Sequence, residues 1–82
     1  MLHAREDYMR IQDPEGKIPD DEPVFLLRGQ DLAAPDAVRF WADTAAALHG
    51  TYDTDIVERA LKQADAMDQW QRDHQSKVPD MP

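Results

Sequence analysis

The sequence predicts a small α-rich domain of the α+β class, an antiparallel pair of helices with a short N-terminal β element. Three observations carry that expectation. Residues 35–49 and 54–74 each repeat apolar side chains at helical spacing. Only the short connection "GTYD" separates them, which favours an antiparallel return. Ahead of them, the apolar burst Val24-Phe25-Leu26-Leu27 stands between Pro23 and Gly29, and those flanks favour a short buried strand over a helix.

In chain order, the N-terminal segment 1–23 comes first. Within it "YMRIQ" (8–12) alternates, with Met9 and Ile11 on one face, which suits a half-buried strand; a short N-terminal helix is the alternative. "DPEGKIPDDEP" (13–23) is a loop, because three prolines and a glycine interrupt any regular element and "DPEG" is β-turn chemistry. A strand over 24–28 needs a neighbour for its backbone N–H and C=O groups. Residues 8–12 supply one candidate, and the same segment of a second copy supplies the other.

The helix over 35–49 starts at Pro35, which suits the first helical position, with Asp36 beside it to complement the dipole and Gly50 to stop it. Val38, Trp41, Ala42, Ala45 and Leu48 fall on its apolar face, opposite Asp36, Arg39 and Asp43. Arg39 is spaced to pair with either aspartate. Phe40 lies off the stripe, to cover residues 24–27 or to sit at a subunit contact.

The helix over 54–74 is capped by Thr54 or Asp55. Its apolar face is Ile56, Val57, Ala60, Leu61, Ala64, Met67 and Trp70, and the many alanines allow close approach of a neighbour. The tail 75–82, with two prolines, has no pattern.

Composition bounds the function. Eighty-two residues make one small domain, too short to be very stable on its own core. The absence of cysteine removes disulfides, and three scattered histidines (His3, His49, His74) do not fit structural-zinc spacing. Self-association is the remaining source of stability, so a homo-oligomer is expected. Its candidate contact residues are Phe25, Leu27, Phe40 and Trp70. The charged N-terminus and the lack of a long apolar run predict a cytoplasmic protein with no membrane association.

The net charge of −8 is shared evenly: nine acids and five bases in residues 1–41, eight and four in 42–82. It disfavours direct binding to nucleic acid, which needs a clustered basic footprint. It suits solubility, or engagement of a basic protein partner as a nucleic-acid mimic.

Little points to catalysis. Ser76 is the only serine, no glycine-rich phosphate loop is present, and the "DTD" at 53–55 fails as a calcium loop because Ala64 stands where a glutamate is required. No metal or other cofactor is implied. The expectation is a non-enzymatic binding protein.

The sharpest candidate for a site is Arg28-Gly29-Gln30-Asp31. Arg28 offers a planar fork to phosphate or carboxylate, Gln30 donates and accepts, Asp31 accepts from hydroxyls or amines, and Gly29 lets a ligand approach the backbone. Such a trio suits a nucleotide-like ligand. The plainer alternative is a strand exit, with Arg28 in solvent or paired with Asp31.

"IPDDEPVFLLRGQD", the following "AP" with its tryptophan-bearing helix, and the later "W" and "KVPD" resemble a group of short proteins encoded by phages and prophages. The resemblance runs from about Ile11 to Pro79, and "EPVFLLRGQD" is its most specific part. It implies a protein that acts stoichiometrically on host machinery in the host cytoplasm, either by sequestering a nucleotide immune signal or by blocking a host protein. A structural adaptor with no ligand is the third expectation.

Overall fold

A computed structural model describes residues 1–4, 13–74 and 78. Its contacts divide the chain into two units, Met1–Leu27 and Arg28–Pro79.

In the first unit, β1 (Leu2–His3) and β2 (Pro23–Val24) pair in parallel, Leu2 opposite Pro23 and His3 opposite Val24. The Leu2 N–H donates to the Glu22 carbonyl at 2.7 Å. Pro23 has no N–H to donate and is accommodated as the first residue of its strand. The "DPEG" turn forms as expected, with the Gly16 N–H donating to the Asp13 carbonyl at 3.0 Å. Gly16 has a φ of 63°, a left-handed conformation that glycine adopts without steric cost. The Asp13 carboxylate then accepts from the Lys17 and Ile18 N–H groups, both at 3.0 Å.

The expected strand over 24–28 needs correction. Pairing stops at Val24, and Phe25 is 71% exposed instead of buried. Among the described residues, the pairing partner β1 ends at His3, so the ladder ends at Val24. Residues 8–12, proposed above as a partner, lie outside the described residues.

The second unit is the helix pair. α1 (Ala34–His49) carries Pro35 in its first turn and Asp36 beside it. Its N-cap, Ala33, has no capping side chain. Asp31, two residues upstream, substitutes: its carboxylate accepts from the Ala33 N–H at 2.8 Å. The C-terminus closes as a Schellman motif, with the Thr51 N–H on the Ala46 carbonyl at 3.0 Å and the Gly50 N–H on Ala47 at 3.3 Å. Gly50 sits at φ 78°.

α2 (Asp55–Asp73) is capped by Thr54, whose hydroxyl accepts from the Val57 N–H at 3.4 Å. Gly50 and Thr54 thus mark the end of α1 and the start of α2 where the sequence places them.

Ala42, Ala46 and Val57 form the buried centre, with Ala45, Ala60 and Leu61 packed against it. This joins the end of α1 to the start of α2. At the other end Arg39 of α1 reaches Asp65 and Asp68 of α2, so the pair is antiparallel. The packed face of α1 is rotated from the expected one, because alanines let α2 approach closely along Ala42 and Ala46. Trp41 and Leu48, expected on the core face, are exposed instead. On α2 the stripe Val57, Ala60, Leu61, Ala64 and Met67 packs inward as expected, while Ile56 and Trp70 fall on its exposed border. No described helix is long and apolar enough to cross a membrane.

Candidate functional site

Arg28, Gln30 and Asp31 share one turn, closed by the Asp31 N–H donating to the Arg28 carbonyl at 3.0 Å. The turn is clasped from α2. The Gln71 side-chain amide donates to the Gly29 carbonyl at 2.9 Å and to the Asp31 carbonyl at 2.8 Å. Gly29 backs onto Met67, where an added Cβ would meet the Met67 Cγ at an ordinary 3.8 Å.

The three expected ligand residues thus have different situations. The Asp31 carboxylate is engaged with the Ala33 N–H at the head of α1. Gln30 is half-buried, and Arg28 is exposed with no ion pair among the described residues. Of the three, Arg28 is the exposed residue.

Gln71 escaped the sequence reading, although a signal for it existed. It stands four residues after Met67 and seven after Ala64, on the buried stripe of α2. A polar side chain on a packed stripe needs partners, and here the partners are backbone carbonyls of the preceding loop.

Arg39 also has more partners than its spacing suggested. Besides Asp36 at 3.6 Å it binds Asp65 at 3.0 Å and, more closely, Asp68. Hydrogen bonds to Asp68 and Asp65 raise its pKa above the ordinary arginine value. Asp43, the other expected partner of Arg39, instead accepts from the Tyr52 hydroxyl at 3.0 Å. That hydrogen bond, reinforced by the negative charge of Asp43, raises the Tyr52 phenol pKa above its usual 10.

Of the expected contact residues, Phe40 is the most exposed at 74%. Phe25 is exposed and Leu27 half-buried, in the first unit. Trp70 stacks on His74, the ring centres 4.0 Å apart and the planes 8° from parallel.

Phe40 does not stand alone. Around α1, Phe40, Thr44 and Leu48 follow one another at four-residue spacing, on the side opposite Ala42. Leu48 is 85% exposed, and Trp41 beside this row is half exposed. The Thr44 hydroxyl donates to the Phe40 carbonyl at 3.0 Å, so its polar atom is satisfied within the helix. Tyr52, tied to Asp43, brings a further exposed ring alongside the same helix. Trp41 and Leu48, expected on the core face of α1, belong instead to this second apolar face.

In the first unit, Leu2, His3, Ala4, Pro23, Val24 and Phe25 line an open, mainly apolar depression. The His3 Nδ1 is buried there without a hydrogen-bond partner among the described residues. No group of three or more His, Cys, Asp or Glu side chains is placed to hold a metal ion among the described residues. The chain matches no family model, no curated protein and no solved structure.

Proposed function

We propose that this chain is a small, non-enzymatic accessory protein of the phage type that works by binding another protein surface through the outer face of α1. The observation that carries the reading is the exposed row Phe40, Thr44 and Leu48 with Trp41 beside it. A helix normally buries one apolar stripe, and α1 spends its alanine stripe on α2 while keeping larger apolar groups in water. Contiguous exposed apolar surface of this kind marks interaction sites.

A second reading retains capture of a nucleotide-like ligand by Arg28. It is favoured by the exposure of Arg28 in a chain of charge −8. Asp31 contributes less to it than its sequence position suggests, because its carboxylate already serves the head of α1.

Native mass spectrometry of protein isolated gently from the cells that make it tests both. A wild-type assembly that disappears in the Phe40→Lys, Leu48→Lys double variant, with helicity preserved, is the expected result. An assembly unchanged in that variant overturns the α1 reading. A retained small molecule lost on Arg28→Ala would put the ligand reading first.

A further inference from the structure

We infer that the occupant of the outer face of α1 is a second copy of the same face, the two α1 helices crossing antiparallel about a two-fold axis at Thr44. The inference rests on the proposed role of that face and names its partner.

The spacing is self-complementary. Phe40 and Leu48 lie four residues to either side of Thr44. A two-fold axis through Thr44 sets Phe40 of one copy against Leu48 of the other, twice, with the small Thr44 pair between them. Residues four apart form the ridges by which helices interdigitate, and a small residue at the crossing point lets the axes approach. A two-fold interface requires this kind of pattern, in which one patch is its own complement.

Charge agrees. Two copies of charge −8 repel, so they associate only through a surface that keeps acids out of the contact. The row Phe40, Trp41, Thr44 and Leu48 carries no charged side chain, and the Thr44 hydroxyl is already hydrogen-bonded. The nearest carboxylates, Asp36 and Asp43, lie beside the row and are engaged with Arg39 and the Tyr52 hydroxyl. Antiparallel helices also set the dipoles in their favourable orientation.

Area agrees as well. Phe40, Trp41 and Leu48, with Tyr52 at 57% exposure, leave on the order of 600 Å² open on each copy. Covered completely on both copies, these side chains bury at most about 1,200 Å², just above the roughly 1,000 Å² that separates specific interfaces from casual contacts. The protein also has reason to recruit them, because Val57 is its only large side chain that is fully buried among the described residues.

The test combines sedimentation equilibrium with cross-linking. The chain has no cysteine, so Thr44→Cys places a single thiol at the proposed axis. Wild-type protein is expected at twice the 9.4 kDa chain mass. Phe40→Lys and Leu48→Lys should each raise the dimer Kd by about 30-fold or more, as for hot-spot residues, with the helical circular dichroism unchanged. Mild oxidation should cross-link Thr44→Cys and spare Gln63→Cys on the exposed side of α2.

A monomer at all concentrations overturns the self-pairing. It leaves the face open to a different protein, which the native-mass experiment above detects. A dimer unaffected by both lysine variants, or one that cross-links equally at Gln63→Cys, also overturns it. If a lysine variant loses helicity, the thiol comparison decides alone.

Discussion

Tyr52 carries a polar contact at the surface that titration can isolate. Its hydroxyl donates to Asp43, and that carboxylate holds the phenol pKa above 10. A group whose folded pKa is raised lends its stabilisation fully below the unfolded value, and loses it as pH rises through the folded value. The Tyr52 contact is therefore intact at neutral pH and fails only in alkali, above pH 10. Tyr8→Phe leaves Tyr52 as the only tyrosine, so absorbance at alkaline pH reports it directly. We expect a midpoint above 10, returning toward 10 when Asp43→Asn is added; no change on adding Asp43→Asn would contradict the assignment. Arg39 obeys the same sign rule at still higher pH. Its ties to α2 persist across the physiological range and weaken with salt instead, as exposed ion pairs do.

At the level of the element, both helices end on devices that substitution can isolate. Gly50 is left-handed, and an added Cβ meets nothing within 4 Å. Gly50→Ala therefore costs backbone strain alone, about 1 kcal/mol. Thr54→Ala removes the cap of α2, and the 3.4 Å bond places the loss at the lower end, about 0.5–1 kcal/mol. Urea unfolding should show both as lower midpoints with unchanged slope. A loss of several kcal/mol for Gly50→Ala would mean that its surroundings are tighter than the structure shows. The head of α1 works differently, because its cap comes from Asp31, and Gln71 of α2 grips the same loop. Loop and helix pair are thereby coupled.

For the molecule as a whole, the decisive quantity is the small amount of large apolar side chain that is buried. Ala34, Ala42, Ala46, Val57, Ala64 and Met67 make up the buried apolar set among the described residues. Alanines give close helix approach but little transfer free energy each. The burden falls on Val57, and Val57→Ala should cost about 2–3 kcal/mol from lost methyl groups and the cavity they leave. Against a total of about 5–15 kcal/mol for typical domains, that is a large fraction, and thermal unfolding should show it as a clear fall in Tm. A cost below about 1 kcal/mol would show that the site collapses around the deletion.

Periodicity and punctuation were enough to place both helices. Pro35, Gly50 and Thr54 act on their own neighbours, and local backbone preferences do not wait for the rest of the chain. The Asp13–Gly16 turn was legible for the same reason. Three features were not. The strand stopped at Val24 because its length is set by a partner, Leu2–His3, that lies about twenty residues away. Arg39 met Asp65 and Asp68, and Gln71 met the Gly29 and Asp31 carbonyls, because those groups come together only when α2 folds back on α1. Most consequential was the choice of the α1 face to be buried. Its apolar residues spread more than halfway round the helix, so periodicity left two faces in competition. Close approach to α2 favoured the alanines, and Phe40, Trp41 and Leu48 were left in water by the packing of the helix pair.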